Sequence, residues 1–304
     1  MNAPHAPVML AECLEQLQVQ PGRWYIDGTF GAGGHTRAIL AAGGRVLAVD
    51  RDPSVQRFLD AEALRDGRLL FAEGNFSELD AHAEHLGVAP VAGVLLDLGV
   101  SSMQLDEAAR GFSFRNSGPL DMRMGRSGLS ASDLVNHAPP EELASLIFRY
   151  GEDRYSRRIA RRIAEAREVG PIETTEALAA IIARAYPPGT RRDHPARRTF
   201  QALRIAVNDE LGALQGALSV LERTLAPEGR AVVLTYHSLE DRIVKHFFKG
   251  SAALTPLQKK PLTATPEEVA LNPRSRAAKL RAAVLSSTPP PTPPPTSPPA
   301  RETL

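Results

Sequence analysis

Tyr25-Ile-Asp-Gly-Thr-Phe-Gly-Ala-Gly-Gly-His35 reads as a short apolar strand that passes through Asp27 into a glycine-rich turn and then a helix over residues 36–42. Gly31, Gly33 and Gly34 strip the turn of side-chain bulk, so a nucleotide-like ligand can lie against bare backbone while helix N-terminal amides face it. A second apolar strand, Arg45-Val-Leu-Ala-Val-Asp50, ends in an acid. That acid stands about 20 residues past the turn, where doubly wound folds hydrogen-bond a ribose hydroxyl pair. Turn and acid together predict a ligand with an adenosine-type ribose.

Outward from this pair, residues 69–76 predict a third strand, and Gly87-Val-Ala-Pro-Val-Ala-Gly-Val-Leu-Leu-Asp97 a fourth. Its continuous apolar run is that of a strand buried on both faces of a parallel sheet. Helices are expected over 10–17 and 52–66, a fifth strand over 229–236 and a helix over 243–248. Weaker strand candidates at 257–262 and 277–285 would close the sheet edge. Alternating strands and helices argue for an open α/β sheet whose ligands gather at the strands' carboxyl ends. Asp27, Asp50, Phe76 and Asp97 all fall at such ends.

After Asp97 the alternation stops. A long loop to Met124 is followed by a helix start at 130–133 and helices over 141–150, 155–168 and 174–186, with no strand between them. Loops of that length in a compact domain are usually functional. The pattern predicts an all-helical insertion, residues 125–197, in an α/β domain formed by 1–124 and 198–285. One long amphipathic helix is expected over 199–224, its Phe200, Leu203, Val207, Leu211, Leu214, Leu218 and Leu221 forming a core stripe. The proline-rich tail, 286–304, cannot build a core and is expected to be disordered.

With 304 residues and 43% hydrophobic content the chain can bury a substantial core. No apolar run approaches the roughly 20 residues of a membrane helix, and the N-terminus lacks signal-peptide features, so a soluble cytoplasmic protein with no membrane partner is expected. The single Cys13 excludes an intramolecular disulfide and a Cys-rich zinc site, and reads as a small core residue. No cluster has the spacing of a dedicated metal site; His194 and His237 read as polar loop residues. The net charge of +1 hides an asymmetry: residues 1–148 carry 11 Arg, no Lys and 19 acids, whereas residues 149–304 carry 25 bases and 16 acids. The basic half is either a polyanion surface or a set of ordinary solvated helix faces.

A nicotinamide dehydrogenase would want Gly-x-Gly-x-x-Gly to seat a pyrophosphate, but Thr36 stands where the third glycine belongs. A ligand without phosphates is favoured, and S-adenosylmethionine fits. The turn accommodates its methionine portion, Asp50 the ribose hydroxyls, Phe76 the adenine, and Asp97 the adenine amine or the methionine ammonium.

Asp27-Gly-Thr-Phe-Gly-Ala-Gly-Gly-His35, Asp50-Arg-Asp-Pro53, Leu95-Leu-Asp-Leu-Gly-Val-Ser-Ser102, Gly111-Phe-Ser-Phe114, Gly118-Pro-Leu-Asp-Met-Arg-Met124, Arg198-Thr-Phe-Gln-Ala-Leu-Arg-Ile205, His237-Ser-Leu-Glu-Asp-Arg-Ile-Val-Lys245 and Asn272-Pro-Arg-Ser-Arg276 together resemble the bacterial RsmH (MraW) family, from about His5 to about Val284. The resemblance implies a class I S-adenosylmethionine-dependent methyltransferase with a Rossmann-like doubly wound sheet. Its implied substrate is the exocyclic N4 of a decoding-centre cytidine in 16S ribosomal RNA, within the small ribosomal subunit. Cofactor contacts carried over position by position are Gly33, Gly34, His35, Asp50, Phe76, Asp97 and Gln104. Oligomeric state, a homodimer included, stays open. Many exocyclic-amine methyltransferases carry an acid or Asn before Pro-Pro-aromatic after strand four. This chain has Asp97-Leu-Gly-Val, so the N4 expectation rests on the family.

A cytosine amine is a poor nucleophile, and the site must hold nitrogen, methyl carbon and sulfur in line while accepting a hydrogen bond from the nitrogen. Asp97, Ser101, Asp121 and His237 are the candidate acceptors; Asp121 or His237 is assigned to the amine and Asp97 chiefly to the cofactor. Anchoring of a loop is the competing role for Asp121 and His237. Between Arg149 and Arg204 stand 13 Arg and seven acids with no Lys, and arginine suits phosphate forks, so the insertion is expected to grip ribosomal RNA. Residues 242–281, with nine bases against two acids, would form the opposite bank. The rival readings are methylation of DNA or protein on the same fold, and a non-catalytic RNA-binding or ribosome-assembly factor. A dehydrogenase is the most distant.

Overall fold

The computed structural model describes residues 7–125, 127–187 and 194–287. Strands β1 (Trp24–Asp27), β2 (Arg45–Asp50), β3 (Leu69–Glu73), β4 (Val91–Asp97) and β5 (Leu225–Thr235) are parallel, and β8 (Lys279–Leu285) runs antiparallel to β5. With β6 (Leu254–Pro256) the sheet order is β3-β2-β1-β4-β5-β8-β6, and β7 (Leu262–Thr263) pairs with β8 off this path. Strand order reverses between β1 and β4, which opens a crevice at their carboxyl ends.

Both faces of the sheet are covered, and the two-residue period of the strands divides their side chains between two cores. Ile26, Leu47, Val49, Val94, Leu96 and Val233 pack on one side against α4 (Leu79–His85), α11 (Glu210–Thr224) and α12 (Ser238–Gly250). Tyr25, Val46, Ala48, Leu95, Val232 and Leu234 face the other way, onto α1 (Leu10–Leu17), α2 (Gly34–Ala41) and α3 (Ala61–Arg65). Cys13 is buried in that second core.

The connection from β4 to β5 holds the helical part of the molecule. After α5 (Ser102–Asp106) come α6 (Ala131–His137), α7 (Pro140–Gly151), α8 (Ser156–Arg167), α9 (Thr175–Ala183) and α10 (Ala196–Asn208). Their apolar faces meet in a third core that includes Val135, Leu143, Ile147, Ile159, Ile163, Leu178 and Ile182. That core extends past 125–197 at both ends, taking in Phe112, Leu120 and Met122 on one side and Phe200 and Leu203 on the other. A last short helix, α13 (Pro266–Leu271), precedes β8.

Three expectations are corrected. The single helix over 199–224 is two, because Asp209 adopts the left-handed region (φ 47°) and turns the chain between α10 and α11. Its stripe consequently serves two cores: Phe200 and Leu203 the helical one, Leu214, Leu218 and Leu221 the sheet. The helix over 52–66 is a 3-10 turn, Pro53–Phe58, and then α3, because Leu59 is extended and Asp60 caps anew by accepting from the amides of Glu62 and Ala63. The segment 277–285 does not close an edge; β8 lies inside the sheet between β5 and β6. The tail expected over 286–304 lies, from residue 288, outside the described residues, and among the described residues no helix is long and apolar enough to cross a membrane.

The α10–α11 break is pinned by Asn208. Its amide nitrogen donates to the carbonyls of Met122 (2.7 Å) and Arg204 (2.9 Å), and its oxygen accepts from the Met124 amide (2.8 Å). Asn208→Ala would leave these buried groups unpaired and is expected to lower stability by about 2–4 kcal/mol, read from urea denaturation midpoints at constant m-value.

Candidate active site

The glycine turn is held in shape by two strand-end acids. Asp27, fully buried, accepts from the Thr36 hydroxyl (2.7 Å) and the Thr29 amide (3.2 Å), which ties the turn to the start of α2. Asp50 accepts from the Gly31 amide (2.8 Å) with one oxygen and from the Asp52 amide (2.9 Å) with the other. Gly31 and Gly33 both sit in the left-handed region, and a Cβ on Gly33 would come within 2.8 Å of the Phe30 ring. Burial pushes the Asp27 carboxyl up, and it pushes Asp50 up to about 6 against the opposing pull of the Asp52 and Gly31 amides.

Over this turn, at the β1–β4 crevice, lies a cavity of about 370 Å3. Gly31, Gly34, His35, Asp50, Phe76, Asp97 and Gln104 line it together, although they come from separate segments of the chain. Gly33 is not among the lining residues; its amide donates to the Phe30 carbonyl (2.7 Å), so it shapes the turn from behind. Asp97 accepts from the Tyr236 hydroxyl (2.6 Å) and lies 3.8 Å from His35 Nδ1, while its own amide donates to the Thr29 hydroxyl (2.7 Å). Burial raises the Asp97 pKa, opposed by His35 and the Tyr236 hydroxyl. His35 is itself buried, with Nε2 3.2 Å from the Val8 carbonyl. Gln104 forms a capping box with Ser101 and donates to Asp52 (3.2 Å), which also takes Arg110 Nη1 (2.8 Å). Arg110 Nη2 in turn donates to the carbonyls of Arg123 and Met124, so this chain of bonds fastens the long loop to the end of β2.

The two assigned amine acceptors do not line the cavity. Asp121 is held by its neighbour: Arg123 donates from Nε (2.9 Å), Nη2 (2.8 Å) and its amide (3.0 Å), and holds the carboxyl below its usual range. His237 is the N-cap of α12, its Nδ1 accepting from the Glu240 amide (3.4 Å). His194 stacks on Phe114 at 4.4 Å.

Sequence reasoning missed Arg204, Glu210, Tyr236, Glu240 and Arg274, all of which line the cavity. Arg204 donates from Nε (2.7 Å) and Nη2 (2.8 Å) to the two oxygens of Glu210. Glu240, 2% exposed, accepts from the amides of Tyr236 (2.9 Å) and His237 (3.3 Å) with Oε2, and its Oε1 lies 3.2 Å from His237 Nε2. Burial alone would raise the Glu240 pKa, but His237 and Arg204 hold it below the usual carboxylate range. Arg274 donates to Asp106 (3.0 Å) through Nη2 and leaves Nη1 buried without an acceptor. For Arg204, Glu240 and Arg274 the one advance signal was membership of the quoted motifs; Glu210 and Tyr236 lie outside them.

Glu210, His237 and Glu240 bring metal-ligand atom types within 4.8 Å of one another. The Arg204 fork occupies Glu210, and His237, which accepts a backbone amide at Nδ1, carries its proton on Nε2. With the Glu210 oxygens and His237 Nδ1 so engaged, the trio is a polar network rather than a metal cage.

The chain matches the MraW methylase family over residues 2–285. It is 54% identical over 280 residues to ribosomal RNA small subunit methyltransferase H of Deinococcus deserti, covering 92% of both chains. It is 51% identical over 315 residues to the protein of the same name from Methylobacterium sp. (strain 4-46), covering 95% of this chain and 93% of that one. Among solved structures it is similar to an rRNA methylase from Streptococcus thermophilus, with a TM-score of 0.43 and 11% identity over 93% of this chain and 99% of that one. It is also similar to a SAM-dependent O-methyltransferase from Thermotoga maritima, with a TM-score of 0.41 and 10% identity over 94% and 69%.

The raised pKa of Asp50 sets a sign for stability. Between the unfolded value of 3.8 and the folded value of about 6 the native state holds the proton more tightly, so this group stabilises the fold at low pH and the contribution is lost as pH rises through about 6. Asp50→Ala is therefore expected to cost about 1 kcal/mol less stability at pH 7.5 than at pH 5, in paired urea denaturation curves.

Proposed function

The chain belongs to the MraW methylase family, and from that premise we propose that it is an S-adenosylmethionine-dependent enzyme that methylates small-subunit ribosomal RNA, at the exocyclic N4 of a decoding-centre cytidine in 16S ribosomal RNA. The observation that carries the reading is that strand-end acids far apart in sequence line one cavity, in a chain that shares half its residues with relatives named ribosomal RNA small subunit methyltransferase H. Such an activity belongs in the cytoplasm, with the small ribosomal subunit as partner.

The residues present fit the cofactor. Arg274 Nη1, a buried donor without an acceptor on the cavity wall, suits the methionine carboxylate. Asp50 has lone pairs left beyond the two amides it accepts, and these would take the ribose hydroxyls. Phe76 would cover the adenine, Gly34 and Gly31 would give backbone approach, and His35 and Gln104 would complete the walls. Asp97, held by Tyr236, would accept from the methionine ammonium or the adenine amine. When bound, S-adenosylmethionine supplies an electrophilic methyl group on a sulfonium.

The protein's own task is to orient the acceptor nitrogen and to receive hydrogen bonds from it as positive charge develops there. Asp121 takes the loop-anchoring role through Arg123, and His237 acts through Glu240 beside it. The helical part, residues 125–197, would hold the RNA: α8 exposes Arg157, Arg161 and Arg162, and Arg149 and Arg154 stand exposed nearby. Arg242, Lys245 and Lys249 line the exposed face of α12 on the other side. Such arginines pair with phosphates and fix register, leaving base choice to the cavity.

The test is incubation of the protein with labelled S-adenosylmethionine and small ribosomal subunits from cells lacking it, followed by mass spectrometry of the digested RNA. One N4-methylated cytidine per subunit is expected. A labelled nucleoside of another kind would overturn the N4 reading, and no transfer to RNA at all would overturn the substrate class.

A further inference from the structure

One wall of the cavity holds none of the residues assigned above to the cofactor. Arg204 from α10, Glu210 from the first turn of α11 and Glu240 from the first turn of α12 stand on it as a nearly buried group. The Arg204 fork uses Nε and Nη2 on Glu210, so Nη1 keeps its donor capacity. On Glu240 the Oε2 atom is taken by two backbone amides, while Oε1 lies 3.2 Å from His237 Nε2, which makes no hydrogen bond among the described residues, and keeps acceptor capacity. One arginine against two carboxylates leaves the group with an excess of negative charge, which suits a ligand donating N–H. It thus offers, on one cavity wall, one anionic acceptor and one cationic donor.

The Watson–Crick edge of cytosine has the complementary order: an amine that donates, then a ring nitrogen and a 2-carbonyl that accept. Uracil reverses the first two, presenting a carbonyl where cytosine has its amine and an N–H where cytosine has a lone pair. A base taken out of its stack is read on this edge by such groups. A site built to hydrogen-bond one pattern rejects the other because its buried polar groups are left unpaired.

We propose that Glu240 and Arg204 form the base-reading subsite of this enzyme, Glu240 Oε1 accepting from the exocyclic amine of cytosine and Arg204 Nη1 donating to the ring nitrogen or 2-carbonyl. Glu210 and His237 are positioning residues, the first fixing the guanidinium and the second flanking the Glu240 carboxylate. In the transfer the amine nitrogen forms a bond to the methyl carbon as the carbon–sulfur bond breaks, and the proton shed by the nitrogen passes to Glu240 Oε1. This subsite rests on the reading of the protein as an N4-cytidine methyltransferase.

The test uses the full chain and two RNA fragments of the methylated region, identical except that one carries cytidine and the other uridine at the target, as competitors of the binding of labelled small subunits. Glu240→Gln is the main variant, since Gln at the third helical position can keep the capping box with the backbone while removing the carboxylate charge. His237→Asn, which keeps an N-cap, tests the positioning role. The wild type is expected to be inhibited about tenfold more strongly by the cytidine fragment, and both variants to bring that ratio toward one with cofactor affinity and unfolding temperature held within about twofold and 2 °C. A ratio kept intact in Glu240→Gln would overturn the subsite while leaving the N4 reading standing. Absence of N4-methylcytidine in the wild-type reaction would overturn both.

Discussion

Burial of charge at the carboxyl ends of the parallel strands is the constraint on which the rest of the structure depends. Asp27, Asp50 and Asp97 lie where desolvation disfavours the ionised form, and in each case the compensating donors come from the segment that shapes the cavity. The Thr36 hydroxyl and Thr29 amide serve Asp27, the Gly31 and Asp52 amides serve Asp50, and the Tyr236 hydroxyl serves Asp97. Acids and turn therefore help to define each other's positions: without the acids the glycine turn loses two of its anchors, and without the turn's amides Asp27 and Asp50 each lose one of their partners. A cavity whose walls are fixed before a ligand arrives loses little on binding to reorganisation.

The helical part is joined to the sheet through the same economy of backbone bonds. Asn208 ties the end of α10 to the loop at Met122 and Met124, and the left-handed Asp209 then launches α11 back onto the sheet. The break thereby sets Arg204 and Glu210 six residues apart on the two sides of a corner, both on the cavity wall. Arg110 fastens the long loop from the other side, through Asp52 and the carbonyls of Arg123 and Met124. The arginine-rich helical part and the cavity are linked by these few polar joints.

Much of this was legible in the sequence where the interactions are local or follow a fixed topology. The glycine turn, the acid about 20 residues on and the alternation of five strands with helices follow from patterns that doubly wound sheets impose. The helix break at Asp209 was not legible, because a non-glycine residue in the left-handed region carries no marker in the sequence and the apolar stripe runs through it unbroken. The wall formed by Arg204, Glu210 and Glu240 was not legible either, since its partners stand up to 36 residues apart and only the packing of α10, α11 and α12 brings them together. Asp121 and His237 drew attention as polar residues in motifs, yet one is held by Arg123 two residues on and the other caps a helix. Residue type alone could not separate a wall of the cavity from its scaffolding.

The central claim is that the β1–β4 crevice, with Asp50 and Asp97 at its floor, is where S-adenosylmethionine binds. Titration calorimetry of the purified chain with S-adenosylmethionine tests it most directly, with Asp97→Asn as the paired variant. Uptake of one equivalent by the wild type, weakened by about tenfold or more in a variant that unfolds at the same temperature, is the expected result. No uptake, or equal affinity in the two proteins, would contradict it.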